Sequence, residues 1–196
     1  CWLRVSGRPV LFLYNVNATN WTAQQVREVR QMAYRAGISE SLYIIGMNTD
    51  YNDFDAKIYD RDMDAVTLYS FSADMQGEPY DDYTARLEKK LKAMLDADPN
   101  GNHQVVPFFS TGFDARPRIE KKVSWIEGDP NATTDAGKPF GNKYTTELDV
   151  LTFKEHFANV YNLTQKYTEK TQPNLVFSYA WNEHDEGSWI CPTLAV

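Results

Sequence analysis

Five short apolar runs, separated by helix-like segments, constrain the possible folds of this 196-residue chain most strongly. Each run is near-continuously apolar and rich in β-branched, aromatic or aliphatic residues. That pattern is typical of strands buried on both faces of a parallel sheet. The predicted strands cover residues 9–15, 42–48, 65–71, 105–110 and 175–181.

Helical patterns lie between these runs. Thr22 opens a capping-box pattern before the first predicted helix, and Gly37 stands where that helix should stop. A second apolar stripe passes through residues 83, 87, 91 and 94, and a second capping box at Thr152 predicts the start of a third helix. Residues 54–59 allow at most two helical turns. This alternation predicts right-handed βαβ units, either in an open doubly wound sheet or in part of a barrel.

Composition and missing motifs narrow the function classes. The formal net charge of −7, with no basic stripe, argues against a nucleic-acid partner, and no apolar run is long enough to span a membrane. No dinucleotide-binding glycine motif or Walker motif follows a strand, so an open nucleotide-binding sheet loses its main support. Cys1 and Cys191 form no CxxC pair, and their disulfide status does not follow from the sequence. We expect neither a metal nor an organic cofactor.

An acidic pair follows the last predicted strand. Glu183 and Glu186 lie two and five residues beyond its end, and Trp181 and Trp189 flank them. In a barrel the catalytic face is formed by the loops after the strands. Cleavage of a glycosidic bond needs two carboxyl groups, one protonated and one ionised, and their proximity would raise one pKa. The tryptophans could stack on sugar rings.

Two other interpretations of this segment stay open. An Asn, Glu, His, Asp and Glu run after a strand is often only a solvated loop. His184, Asp185 and Glu186 could also bind a metal, but their spacing matches no standard metal motif.

The segment also carries a resemblance to known families. Residues 180–187, Ala-Trp-Asn-Glu-His-Asp-Glu-Gly, with Pro192 after them, resemble the Trp-Asn-Glu-x-x-Glu-Gly…Pro signature of two related families. These are the endo-α-mannosidases of glycoside hydrolase family 99 and the WbsX-like family, which is often labelled as glycosyltransferases. Residues 111–118 resemble the WbsX-type Gly-Trp-Asp-x-x-Pro-Arg segment, and residues 12–37 resemble the strand and helix that precede it.

The resemblance implies an α/β fold of the (β/α)8 TIM-barrel type, with residues 1–196 as the C-terminal portion of one catalytic domain. The chain would supply the last five strands, and the N-terminal part of the same barrel would complete it. The resemblance also implies that Glu183 is the base acting on the substrate 2-hydroxyl and that Glu186 is the general acid and then base. The reaction would retain configuration through a 1,2-anhydro sugar. His184 departs from the Trp or similar residue usual at its position.

Strand ends place further residues at the expected mouth of the site. The predicted substrate-binding residues are Tyr14, Asn15, Tyr69, Asp114, Arg116, Trp181, Asn182, His184 and Trp189. For Asp114 and Arg116 the alternative is an ion pair that folds the long loop after the fourth strand. For Tyr14 and Tyr69 the alternative is core packing.

Other polar residues are expected to be structural. His103 precedes a strand and should lie at the opposite face, and His156 is predicted on a helix surface. Asp60, Asp62 and Asp64 lack the glycine and glutamate of a calcium loop, so they are interpreted as a solvated turn.

The leading hypothesis is therefore a retaining glycoside hydrolase that cleaves a polysaccharide or glycan. An α-mannoside-like glycan is one candidate substrate. The alternatives are a WbsX-type glycosyltransferase and a non-catalytic carbohydrate-binding barrel. The resemblance further implies a secreted, periplasmic or cell-surface location in a bacterium.

Overall fold

A computed structural model describes residues 3–16, 21–38, 41–48, 62–97, 104–117, 133–134, 138–139, 143–180, 182–183 and 188–189. Three helices are described there: α1 (Ala23–Arg35), α2 (Tyr80–Asp96) and α3 (Val150–Lys166). The described strands are β1 Arg4–Val5, β2 Arg8–Tyr14, β3 Tyr43–Asn48, β4 Ala65–Leu68, β5 Gln76–Glu78, β6 Gln104–Val105, β7 Phe108–Ser110, β8 Thr133–Thr134, β9 Lys138–Pro139, β10 Tyr144–Thr145, β11 Phe177–Tyr179, β12 Asn182–Glu183 and β13 Ser188–Trp189.

The chain divides into two compact units. The first consists of Cys1–Ser70, Lys89–Phe108 and Val160–Phe177, and it contains a sheet in the order β1-β2-β3-β4-β6. Strands β2, β3, β4 and β6 are parallel to their neighbours, whereas β1 is antiparallel to β2. The predicted parallel sheet is confirmed.

Apolar packing explains why these segments form the sheet. All four residues of Ala65–Leu68 are buried, as expected for a strand covered on both faces. Ile45 is fully buried in a cluster with Val10 and Val106, and the ring of Phe12 meets that of Phe177 edge to face at 5.0 Å. Full burial of an aliphatic side chain such as that of Ile45 stabilises the fold by about 1.5–3 kcal/mol.

The first helix begins and ends where the sequence predicts. The Thr22 hydroxyl accepts a hydrogen bond from the Gln25 backbone N–H at 3.2 Å, and the Gln25 side chain accepts from the Thr22 N–H at 2.9 Å. This reciprocal pair confirms the first capping box. Gly37 follows the helix with φ of 69°, a left-handed conformation that glycine adopts without strain.

The interpretation of Asp62 and Asp64 as a solvated turn is wrong for Asp64. Its side chain is 19% exposed and forms ion pairs of 2.7 Å with both Arg8 and Arg30. It also accepts the backbone N–H of Ile44 at 2.8 Å. A partly buried carboxylate needs such partners because desolvation penalises its charge. Asp62 pairs with Arg27 at the surface, and Asp60 lies outside the described residues.

The second unit consists of Phe71–Glu88, Phe109–Asn159 and Ser178–Val196. Among its described strands, β5 pairs with β10 in parallel, and β8–β9 and β12–β13 are antiparallel pairs. Helix α3 begins at Val150, before the predicted start, because the Asp149 carboxylate accepts the Thr152 N–H at 2.9 Å and its hydroxyl at 3.0 Å. The predicted capping box at Thr152 is therefore wrong. Those hydrogen bonds hold the Asp149 pKa below its ordinary value.

The fourth predicted strand is interrupted. It forms β6 and β7, with Val106 and Pro107 between them, and Pro107 has no N–H to donate to a ladder. Its carbonyl instead accepts the Phe177 N–H at 2.8 Å, and β7 pairs with β11. The third and fifth strands are shorter than predicted, and the predicted two-turn helix over 54–59 lies outside the described residues.

Candidate functional site

A pocket of about 700 Å³, with both polar and apolar lining, is found in the second unit directly after β7. It is lined by Thr111, Asp114, Arg116 and the run from Tyr144 to Leu148. The volume falls within the range of about 300–1,000 Å³ that is usual for small-molecule sites. Asp114 and Arg116, two of the predicted binding residues, are therefore among the residues that line the pocket.

Backbone hydrogen bonds join the two walls of the pocket. Asp114 and Tyr144 form an antiparallel bridge, and the Thr145 N–H donates to the Phe113 carbonyl at 2.7 Å. The Thr145 hydroxyl also accepts the Phe113 N–H at 3.1 Å. Gly112 has φ of 122°, and a Cβ atom at this position would lie 2.8 Å from the Thr145 hydroxyl. A glycine is therefore required where the walls meet.

Asp114 and Arg116 form a two-point ion pair. Arg116 Nε lies 2.9 Å from Asp114 Oδ1 and Nη2 lies 2.6 Å from Oδ2, so the guanidinium is held in a fork. The same guanidinium lies 3.6 Å from the centre of the Tyr144 ring, and its hydrogen bond to Asp114 raises the Arg116 pKa. The ion-pair alternative is confirmed, and both residues also line the pocket. Sugar binding by them stays a prediction.

Buried tyrosines support the base of these walls. The Tyr80 N–H donates to the Thr146 hydroxyl at 3.1 Å, and the Tyr80 hydroxyl donates to the Ser110 carbonyl at 2.8 Å. The fully buried Tyr83 donates its hydroxyl to the Phe71 carbonyl at 2.7 Å and lies 2.8 Å from the Ser110 hydroxyl. Burial raises the pKa of both phenols well above the ordinary value, so they remain protonated donors.

His156 is buried, and the prediction of a surface histidine is wrong. Only 1% of it is exposed, Nδ1 lies 2.8 Å from Glu88 Oε1, and the Ser110 N–H points at Nε2 across 3.4 Å. Because Nε2 accepts, the proton of the neutral ring belongs on Nδ1, which donates to Glu88. The missed signal is helical spacing, since Val160 and Thr164 continue the same buried stripe of α3.

Three predicted binding residues lie in the first unit. Tyr14 is 53% exposed at the end of β2, so core packing is wrong for it. Its ring meets that of the partly buried Tyr69 at 4.6 Å. Asn15 follows with φ of 55°, a left-handed conformation that asparagine tolerates better than most residues.

The predicted acidic segment is described only in part. Asn182 pairs with Trp189 and Glu183 pairs with Ser188, so β12 and β13 form an antiparallel pair in the second unit. Trp181, His184, Glu186, His103 and both cysteines lie outside the described residues. The pairing of Glu183 with Glu186 stays a prediction. The sequence does not predict that residues 144–146 form a pocket wall. They stand in a long loop without the alternation of apolar and polar residues that marks a strand or a helix.

No group of three or more His, Cys, Asp or Glu side chains suited to a metal ion occurs among the described residues. The described helices also include none that is long and apolar enough to cross a membrane.

The sequence model of the family described as Glycosyltransferase WbsX matches residues 1–196. The chain belongs to this family. Among curated proteins, none matches the sequence.

Solved structures of glycoside hydrolases share the fold of this WbsX-family chain. A glycoside hydrolase-like protein aligns with a TM-score of 0.59 at 18% identity, over 96% of this chain and 48% of its own. The family 99 endo-α-mannosidase from Bacteroides thetaiotaomicron, in complex with bis-tris-propane, aligns with a TM-score of 0.51 at 14% identity, over 95% and 48% of the two chains. A second structure of that enzyme aligns with the same TM-score over 95% and 45%. The chain thus spans about half the length of these structures, and the likeness shows the α/β fold.

Proposed function

We propose that this WbsX-family chain is part of a retaining glycoside hydrolase that cleaves glycans, with Glu183 as the base and Glu186 as the general acid and base. The observation that carries the proposal is a pocket after β7 in the same compact unit as the β12–β13 pair that contains Glu183. The fold shared with glycoside hydrolases supports it further.

Strand pairing supports the placement of the acidic segment near this pocket. The N–H of Thr111, a pocket residue, donates to the Tyr179 carbonyl at 3.4 Å. Four residues later the chain reaches Glu183, which pairs with Ser188. Glu186 stands between these two partners in the sequence, three residues after Glu183.

The chemistry requires unlike roles for two like groups. In the proposed first step, Glu183 removes the proton of the substrate 2-hydroxyl, and O2 attacks the anomeric carbon. Glu186 donates a proton to the leaving oxygen as the glycosidic bond breaks. Glu186 then takes a proton from water, which attacks the anomeric carbon and opens the 1,2-anhydro ring, while Glu183 returns its proton to O2 and regenerates the 2-hydroxyl. Two inversions leave the anomeric configuration unchanged. The geometry requires O2 to lie trans to the leaving group, as in α-mannosides.

The wider setting belongs to the same proposal. The chain would contribute five strands of a (β/α)8 barrel, and the remaining part of that barrel would complete the pocket. The substrate would be a polysaccharide or glycan, processed at a bacterial cell surface, in the periplasm or outside the cell. Sugar would be bound at the ends of β2 and β4 by Tyr14, Asn15 and Tyr69. The acidic segment would bind it through Trp181, Asn182, His184 and Trp189.

The family description favours one alternative, a glycosyltransferase. A transferase of that kind would bind a nucleotide-sugar donor and form a glycosidic bond. Calorimetry with nucleotide-sugar donors separates the two proposals, because tight donor binding would favour the transferase.

The hydrolase is tested with the whole gene product on a panel of neutral and acidic glycans. We expect Glu183→Gln and Glu186→Gln to lower turnover by about 10²–10⁴-fold, since each removes a proton-transferring group. Glu155→Gln, an equivalent change on the exposed side of α3, is the matched control and should keep full turnover. Proton NMR of the first product should show the substrate's anomeric configuration. Unchanged turnover in Glu186→Gln, or an inverted first product, contradicts the proposal.

A further inference from the structure

The described lining of the pocket after β7 carries more negative than positive charge. Among the residues that the structure describes, the charged ones that line the pocket are Asp114, Arg116 and Glu147. Asp114 and Arg116 neutralise each other in their two-point ion pair. Glu147 is exposed and has no hydrogen-bond or ion-pair partner in the part of the chain that the structure describes. Lys143 is buried and does not line the pocket. The described part of the lining therefore carries one uncompensated negative charge.

The rest of the lining suits hydroxyl groups. Thr111 is 8% exposed, and its hydroxyl has no hydrogen-bond partner among the described residues. The Thr146 hydroxyl oxygen accepts the Tyr80 N–H, and its own proton remains available to a ligand. The Tyr144 ring and the Arg116 guanidinium, 3.6 Å from it, add a flat surface. Hydroxyl donors and acceptors beside an aromatic ring match the two faces of a sugar.

We propose that Glu147 is a specificity-determining residue that makes this pocket a subsite for uncharged sugars and disfavours acidic ones. The inference rests on the proposed function only in taking the ligand to be a glycan. A neutral sugar hydroxyl can donate a charge-assisted hydrogen bond to the Glu147 carboxylate. A uronate in the same place would meet a like charge, because Arg116 is already neutralised by Asp114.

Calorimetry on the whole gene product carrying Glu186→Gln tests this preference while turnover is arrested. The probes are a neutral mannan oligosaccharide and the same oligosaccharide oxidised at C6 to the uronate, which share every linkage and differ in charge. At low salt we expect the uronate to bind at least about fivefold more weakly. The difference should narrow as salt screens the exposed carboxylate.

Substitutions assign the preference to one residue. Adding Glu147→Gln should bring the two affinities within about twofold of each other, since it removes the like charge and keeps a hydrogen-bonding side chain. Glu155→Gln makes the same charge change outside the pocket and should leave the affinity ratio unchanged.

Equal affinities for the two probes, a ratio that survives Glu147→Gln, or no binding of the neutral oligosaccharide would each overturn the inference. The proposed function fails by a different result, namely unchanged glycan turnover in Glu186→Gln. That result concerns turnover and does not depend on the charge of the probe, so the two failures are distinguishable.

Discussion

The parallel sheet of the first unit and the pocket walls of the second are stabilised in different ways. The sheet depends on apolar strands, among which Ile44, Ile45 and Val66 are fully buried. The pocket walls depend on polar groups, since Tyr80 and Tyr83 both bond to Ser110 beneath them. The described strands also differ, from seven residues in β2 to two in β10.

This difference shows how a binding region is built beside a sheet. Apolar packing is nondirectional and fixes a strand along its whole length. Directional hydrogen bonds instead fix single backbone groups, which allows short irregular segments to form a cavity. The stability of the sheet should therefore change little when a single polar atom is removed. The stability of the pocket walls should depend on individual polar atoms.

The largest expected effect is on the sheet. Ile45→Ala should lower the free energy of unfolding by about 2–5 kcal/mol, because it removes buried apolar surface and leaves a cavity. Ile38→Ala is the matched control, since Ile38 is 56% exposed, and it should change stability by no more than about 0.5 kcal/mol. Urea unfolding followed by circular dichroism measures both. Similar losses in the two variants would contradict the comparison.

A smaller effect is expected in the polar region. His156→Leu should cost about 1–3 kcal/mol, because the buried Ser110 N–H loses its acceptor and Glu88 loses one donor. Glu88→Gln keeps an oxygen that can accept from Nδ1 and should cost less. Urea unfolding of both variants, beside Glu155→Leu on the exposed side of the same helix, measures the difference. A loss in His156→Leu no greater than in Glu155→Leu would refute the role of the histidine.

The smallest effect at neutral pH is expected for a buried phenol of the sheet. The Tyr43 hydroxyl has no hydrogen-bond partner among the described residues, so Tyr43→Phe should change stability at pH 7 by less than about 0.5 kcal/mol. Tyr83→Phe is the matched variant in the polar region. It removes hydrogen bonds to Phe71 and Ser110 and should cost about 1–2 kcal/mol. Equal losses of stability in Tyr43→Phe and Tyr83→Phe would contradict the difference between the sheet and the polar region.

Alkaline pH then separates the Tyr43 variant from the native protein. Burial, with a further contribution from Asp64, raises the Tyr43 pKa to about 12. Above the unfolded value near 10 the unfolded chain loses the proton first, so native stability should fall from about pH 10 to 12. Tyr43→Phe should lose less stability in that window. Parallel stability curves for the two proteins would show that Tyr43 does not titrate late.

The sequence predicts the repetitive part of this structure well. Apolar runs identify the strands of the parallel sheet, because burial on both faces leaves a continuous pattern. The Thr22 capping box identifies the start of α1 to the residue. The break at Pro107 in the fourth strand does not follow from the sequence. A proline is tolerated where no neighbouring strand needs its N–H, so its effect depends on which strand pairs with it.

The polar contacts could not be predicted in the same way. Asp64 and His156 have partners 20 to 68 positions away in sequence, and no local pattern encodes such pairs. The pocket wall at Tyr144 is fixed by its bridge to Asp114, on the far side of a long connection. The sequence therefore indicates the strand end at which Asp114 and Arg116 lie, but not the residues that contact them across the loop.

Gly112 has a consequence for how this pocket can diversify. A methyl group there would lie 2.8 Å from the Thr145 hydroxyl, so the closeness of the walls is set by a side chain that is missing. Alanine there would also be strained by the φ of 122° whatever residue stands at position 145, so a shorter side chain at 145 would not by itself make room for it. The narrow separation of the two walls is therefore tied to glycine at position 112.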